Sequence, residues 1–331
     1  MSSDKKIKYA YNKNLPILKN GWKGNVLINN AFYNDAIVEN PPFIDVFKWK
    51  FQKNPQKKQK EEDTFNLQSS TLESIPKATD NIIWLGHSSF LITINGITII
   101  TDPCLFDIPM IKRKVPIPCK IEVLKNIDYV LISHDHRDHF DKKSIAVLWE
   151  NNPKMEVLTG LNMSNLFKKY KLNTKIQEAG WYQEYKLHED IRILFLPAKH
   201  WGRRGLLDYN KNLWGSFLII SKHKKIYFSG DTAYSNVFKA IHKEFGKMDI
   251  CMLPIGAYSP KFMMENSHTT PEEAYQIFKD LDGGMFIPMH YGTYDLSDEP
   301  LGEPIKRLEQ CFQSNNKKLH RVTVGEVLKI E

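Results

Sequence analysis

Three histidines and two aspartates fall within six consecutive residues, His134-Asp135-His136-Arg137-Asp138-His139. Imidazole and carboxylate are the ligand types that zinc and related divalent metals take. In extended backbone His134 and His136, two residues apart, project to the same side. Asp138 and His139 follow where the chain turns, so they can address a second, neighbouring position. A solvated polar loop is a poor account of three of the chain's eleven histidines within six residues. Four more candidates share one placement. His87 follows residues 82–86, His200 follows the run ending at Leu196, Asp231 follows residues 226–230, and His290 follows residues 286–289. Each lies just past the C-terminal end of a β-rich run. One such residue alone is more often a cap or a surface group. Together with the six-residue cluster they point to strand ends converging on one metal centre.

The elements that must position these residues are readable as apolar runs. Residues 82–85, 90–94, 97–101, 129–132, 191–196, 217–220, 226–228, 250–253 and 285–287 have strand character. Asn95-Gly96 is a two-residue hairpin signal between two of them. Helical patterns lie between the strands. Thr270 is a candidate N-cap, Pro271 sits at the first helical position and Glu273 completes a capping box. Ala274, Ile277, Phe278 and Leu281 then form an apolar face, and Gly283 is a plausible stop. A second helix spans 236–245, with Val237, Phe238, Ile241 and Phe245 inward and Gly246 ending it. A third starts at Asp141 and buries Ile145, Leu148 and Trp149. Strands interspersed with helices imply sheets covered by helices, an α/β or α+β layered architecture. No repeat of 20–50 residues is visible.

Residues 1–77 read as an N-terminal arm and charged linker, and residues 78–331 as the catalytic domain. The stretch 51–63 is polar and charged, as a linker would be. Residues 42–51 mix aromatics with lysines, which fits either a short arm packed on the main domain or a membrane-contacting element. The aromatic content of 12% excludes disorder, and 17 glycines with 17 prolines in 331 residues exclude collagen-like or low-complexity architectures. No apolar run approaches the ~20 residues that cross a bilayer. Cys104, Cys119, Cys251 and Cys311 are widely spaced, so they read as small buried hydrophobes in a reducing compartment. The N-terminus has no secretory pattern, and the expectation is a cytoplasmic protein that touches a membrane only peripherally. The net charge, 46 − 38 = +8, favours an anionic partner: nucleic acid, a phosphorylated substrate or an anionic membrane. Charge does not choose among them.

The motif His134-x-His136-x-Asp138-His139, followed by His200, Gly230-Asp231 and His290, resembles in order the ligand set of the metallo-β-lactamase fold. That resemblance implies an αββα sandwich with a di-metal site at one edge of the paired sheets. It implies that His134, His136 and His200 hold one zinc, that Asp138, His139 and His290 hold the other, and that Asp231 bridges them. His87 and Asp102 match positions that orient ligands. An aspartate at the bridge, where true β-lactamases carry cysteine, argues against β-lactam hydrolysis. Iron or manganese would suit the same donors.

Further motifs narrow the likeness. Trp84-Leu85-Gly86-His87-Ser88, Lys199-His200-Trp201, Leu213-Trp214-Gly215-Ser216, Phe228-Ser229-Gly230-Asp231-Thr232, Pro254-Ile255-Gly256-Ala257-Tyr258-x-Pro260 and His290-Tyr291-Gly292-Thr293 are similar to the N-acyl-phosphatidylethanolamine-hydrolysing phospholipase D family over residues 80–325. The arm resembles that family only loosely, around Phe32-Tyr33-Asn34 and residues 41–51. The implied activity is attack of a metal hydroxide on phosphorus, releasing N-acylethanolamine and phosphatidic acid. The implied catalytic residues are Asp138, Asp231 and His268, with His268, Arg203, Arg204 and Tyr258 as substrate contacts. Arg203 and Arg204 would meet a phosphate, or else form a solvated pair. The apolar, basic stretch 108–118 would be a lid or lipid contact, or else a rigid connector. The implied partners are a phospholipid, a membrane surface and a second copy in a homodimer, with no nucleic acid. The alternative function is a lactonase or nuclease on the same scaffold.

Overall fold

Side chains of a strand alternate between two faces, and in this chain both faces of the central strands are covered. The computed structural model describes residues 7–34, 49, 51–187, 190–313 and 318–330. β1 (Lys8–Ala10), β2 (Asn25–Ile28) and β3 (Ala31–Phe32) form a small antiparallel sheet. β4 (Asn81–Gly86), β5 (Ser89–Ile94), β6 (Ile97–Thr101), β7 (Tyr129–Ile132), β8 (Glu156–Gly160) and β9 (Lys175–Ala179) lie side by side in that order. The first three are antiparallel, joined between β5 and β6 by the Asn95-Gly96 turn, and β6 to β9 are parallel. A second sheet holds β10 (Gln183–Glu184), β11 (Arg192–Leu196), β12 (Ser216–Ile220), β13 (Lys225–Phe228), β14 (Ile250–Pro254) and β15 (Met285–Met289) in sequence order, with β13 to β15 parallel. β16 (Val327–Lys329) returns to pair with β4 and completes the first sheet at seven strands.

The alternation sorts the core. Ile82, Trp84, Phe90, Ile92, Ile99, Tyr129 and Leu131 share one buried cluster with Phe195, Phe217 and Leu218 of the second sheet. Their neighbours Ile83, Leu85, Leu91, Ile100, Val130 and Ile132 point the other way, onto Ile145 and Leu148 of the helix Lys142–Asn151 and Leu166 and Phe167 of the helix Ser164–Lys169. The second sheet is covered by the helices Val237–Phe245, Pro271–Asp280 and Glu303–Cys311, which contribute Phe238, Ile241, Ala274, Ile277 and Leu308. Each large apolar side chain among these contributes ~1.5–3 kcal/mol on burial. Helices outside and two sheets inside make the expected αββα sandwich. No helix among the described residues is long and apolar enough to cross a membrane.

Three features add to or differ from the sequence pattern. The stretch 51–63 holds the short helix Lys57–Glu62, and it is docked rather than free. Lys60 donates to the carbonyl of Ser297 and pairs with Asp295, while Asp63 accepts the Gly302 N–H at 2.7 Å. Residues 7–34 are part of the packed body: Leu15 and Phe32 enter the main core, and the Gln183 amide donates to Asn12 O at 2.7 Å. Trp149 is only partly buried. Residues 42–51 lie outside the described residues except Trp49 and Phe51; the Trp49 indole donates to Asp298 at 3.0 Å. In the stretch 108–118, Arg113 is pinned to the carbonyls of Leu85, Cys104 and Val115, as a connector would be, whereas Met110 stands fully exposed.

Candidate metal centre

Because the central strands of each sheet run parallel, their C-terminal ends gather at one edge. β7 runs into Ser133 and His134, β6 into Asp102, β4 into His87, β13 into Gly230 and Asp231, and β15 into His290. His200 follows β11. Three of these residues sit in the left-handed backbone region: His87 at φ 54°, Asp102 at φ 32° and His290 at φ 61°. Such conformations cost ~1–3 kcal/mol each and persist where surroundings over-determine them. Around His87 the determinants are visible. Its N–H donates to Thr293 at 2.7 Å, and its carbonyl accepts from the Trp84 indole at 2.9 Å and the His290 N–H at 3.2 Å. Gly230, at φ 57°, leaves no room for a side chain: a Cβ there would lie 2.6 Å from the Ser133 Cβ.

The structure brings all seven proposed ligands together in two adjoining groups. In the first, His136 Nδ1 lies 3.0 Å from His134 Nε2 and 3.2 Å from His200 Nε2. In the second, Asp138 Oδ2 lies 3.5 Å from both His139 Nε2 and His290 Nε2. Asp231 Oδ2 stands between them, 3.1 Å from His139, 3.2 Å from His290, 3.9 Å from His134 and 4.0 Å from His200. His87 Nε2 is 3.0 Å from Asp138 Oδ2, at the back of the second group.

The orientation of these rings is fixed from behind. His139 Nδ1 donates to Asp102 Oδ2 at 2.7 Å, His200 Nδ1 donates to the Ser267 carbonyl at 2.8 Å, and His134 Nδ1 donates to Ser133 Oγ at 2.9 Å. Each contact selects the tautomer whose Nε2 lone pair faces the centre, as metal-binding histidines require. Ser133 and Ser267 carried no sequence signal, because one acts as a relay and the other through its backbone.

The donor set fits divalent cations. Asp231 Oδ1, His136 Nε2, His139 Nε2 and both ring nitrogens of His290 are buried without a hydrogen-bond partner. Leaving so many buried polar atoms unpaired is costly, and ligation would satisfy those aimed at the centre. The electrostatics agree. Burial pushes Asp138 and Asp231 up, yet the neighbouring histidines, His139 first and then His290, together outweigh it and hold both carboxyls well below the usual carboxylate range. Burial and adjacent imidazoles hold His134 and His200 well below the usual histidine value, so they are neutral and ready to ligate. Burial opposes charge on His290 too, but Asp231 and Asp138 raise it to about 9. Two buried carboxylates thus draw positive charge to this point.

Four of the candidate ligands, His136, Asp138, Asp231 and His290, line a cavity of about 530 Å³. Its walls are Met263, Met264, Leu296 and Trp201, and Arg137 and Arg203 stand at its edge. His268 also lines it, with Nδ1 3.8 Å from Asp231 Oδ2. Two expected substrate contacts are elsewhere. Arg204 points away from the cavity, because its guanidinium is taken up by the carbonyls of Asp135 and Phe140. Tyr258 donates to Glu303 at 2.7 Å and lines an adjacent cavity of about 320 Å³, which meets the first only at His268.

Known proteins resemble this chain in sequence and in fold. A β-lactamase superfamily domain matches residues 98–291. The chain is 33% identical over 246 residues to N-acyl-phosphatidylethanolamine-hydrolyzing phospholipase D 1 of Caenorhabditis elegans, covering 70% of this chain and 69% of that one. It is 34% identical over 240 residues to the mitochondrial N-acyl-phosphatidylethanolamine-hydrolyzing phospholipase D of Saccharomyces cerevisiae, covering 70% of this chain and 51% of the yeast protein. A metallo hydrolase from the archaeon Ignicoccus hospitalis has the same fold, with a TM-score of 0.60 and 21% identity over 77% of this chain and 99% of that one.

Proposed function

The chain belongs to the metallo-β-lactamase superfamily of metal-dependent hydrolases, and from that premise we propose that it is a di-zinc phosphodiesterase of the phospholipase D type, cleaving N-acyl-phosphatidylethanolamine to N-acylethanolamine and phosphatidic acid. The observation that carries the reading is the reach of Asp231, whose Oδ2 lies within 4.0 Å of ligand atoms in both groups. One carboxylate serving two groups is what a pair of neighbouring ions needs. When bound there, two divalent ions lower the pKa of a water and offset charge on a phosphodiester.

The chain's own residues do the rest. His134, His136 and His200 would hold one ion, Asp138, His139 and His290 the other. Burial lowers His268 to about 4, so it meets the cavity as a neutral imidazole with one N–H to give a phosphoryl oxygen. Arg137 and Arg203 offer cations at the edge, and Met263, Met264, Leu296 and Trp201 offer an apolar wall for an acyl chain. That division suits an amphipathic phosphodiester better than a nucleic acid or a sugar lactone.

Exposed apolar residues near the cavity lining in sequence or packing support peripheral contact with lipid. Leu206 and Leu207, both 86% exposed, follow Arg203 in sequence, and Phe262 adjoins Met263. Met110 tips a turn whose Ile108 and Ile111 pack with Leu296. Exposed Lys112, Lys114 and Lys261 flank these residues, a pairing of apolar and basic groups that favours an anionic interface. The test is a substrate panel with zinc-loaded protein: N-acyl-phosphatidylethanolamine in mixed micelles, a sugar-phosphate lactone, and RNA. Turnover of the lipid at least tenfold above the others is expected, and preferential cleavage of lactone or RNA would replace the lipid assignment.

A further inference from the structure

Arg204, which turns away from the cavity, makes a defined set of contacts instead. Its Nη1 donates to the Asp135 carbonyl at 3.1 Å and to the Phe140 carbonyl at 2.9 Å. Those carbonyls are the two ends of the turn that carries His136, Asp138 and His139. The guanidinium also lies over the rings of Phe140 and Tyr170, at 5.3 and 5.6 Å. The contact is returned. Asp135, 1% exposed between two metal-ligand candidates, accepts from Asn212 Nδ2 at 2.8 Å. Arg204 and Asn212 belong to one loop, and that loop begins at His200.

We propose that Arg204 and Asp135 form a reciprocal clasp that positions the metal ligands. The inference rests on the divalent-metal reading of the centre but not on the lipid reading. Its logic is geometric. His134, His136, Asp138 and His139 follow a strand of the first sheet, whereas His200, Asp231 and His290 follow strands of the second. The two halves must therefore be held in register, and a metal site tolerates only ~0.5 Å of misplacement. The clasp ties the turn 135–140 to the loop that starts with His200, so the histidine trio closes as one unit. Arginine suits this position because one planar fork bridges two carbonyls while its face rests on aromatic rings, which a lysine ammonium cannot do. Arg204 and Asp135 touch no reacting atom; they act through His136, Asp138 and His200.

The experiment is a zinc titration of metal-stripped protein in competition with a chromophoric chelator, beside the melting temperature of the metal-free protein. Arg204→Lys and Asn212→Ala are each expected to weaken zinc binding ~10–100-fold, the usual effect of losing a group that orients ligands. The metal-free melting transition should persist, and lysine should not rescue. Arg203→Ala should bind zinc like the parent, because its guanidinium donates to Gly205 and Leu206 of its own loop and not to the turn. If Arg204→Lys does not fold, Asn212→Ala still decides. Parental zinc affinity in the foldable variants would overturn the clasp. So would loss of affinity that appears only with loss of the metal-free fold, since Arg204 would then serve the fold alone. Failure of the parent protein to cleave lipid leaves this titration unaffected and bears only on the proposed substrate.

Discussion

Oδ2 of Asp102 lies 2.7 Å from Nδ1 of His139, and both side chains are fully buried. Asp102 is itself immobilised, since its Oδ1 accepts the Ser133 N–H at 2.7 Å and its Oδ2 accepts the Ser133 hydroxyl at 2.5 Å. A strand end of the first sheet thereby sets the angle of a ring whose Nε2 faces Asp138 and Asp231. The same construction recurs at His134 and His200, aimed by the Ser133 hydroxyl and the Ser267 carbonyl.

Replacing Asp102 by Asn keeps the shape and removes the charge. Metal affinity of the group around His139 should fall ~10–100-fold, because the imidazole loses the partner that fixes its tautomer. Competition with a chelator checks this, and the group around His134, reached only through Ser133, should weaken less.

His136→Ala removes the atom shared by His134 and His200, which lie 3.0 and 3.2 Å from it. Metal content after dialysis should drop from two ions per chain to one. A variant that still holds two would show that the histidine trio is not a separate site.

The metal-free centre should compete with protons. Burial opposes charge on His139 and His290, yet Asp231 and Asp138 hold His139 well above its ordinary value and raise His290 to about 9. Both are raised, so both are protonated at neutral pH and must release protons when metal binds. Affinity should therefore rise with pH, and calorimetry in two buffers of different ionisation enthalpy should register net proton release. By the same sign, these two groups stabilise the metal-free fold most fully below the ordinary histidine value, and the contribution of His290 is lost as pH rises through about 9. A metal affinity that is unchanged from mildly acid to mildly alkaline pH would contradict this.

His268 lines the cavity but belongs to neither ligand group. His268→Ala should leave metal content unchanged and lower kcat ~10²–10³-fold, the range for losing one hydrogen-bond donor at a developing charge. A parental kcat would remove His268 from the reaction.

Much of this centre was legible because its candidate ligands follow strands in sequence, so apolar runs locate them before any contact is known. The capping box of Thr270 and Glu273 was legible for a similar reason, being complete within four residues, and both of its bonds form. What could not be read depends on groups distant in sequence. The side chain of Arg204 is turned from the cavity by carbonyls 64 and 69 residues away. Tyr258 is drawn toward Glu303, 45 residues later, on a helix whose packing no local pattern encodes. The charged stretch around Lys60 has linker composition, yet Asp295 and the Ser297 carbonyl supply a docking point that composition does not register.

Hydrolysis in ¹⁸O-labelled water, followed by mass spectrometry of the products from N-acyl-phosphatidylethanolamine, tests the phosphodiesterase assignment most directly. Label in phosphatidic acid, with unlabelled N-acylethanolamine in equal amount, is the expected result, because attack falls on phosphorus. Label in a released fatty acid, or intact lipid in the presence of protein with two bound zinc ions, would contradict it.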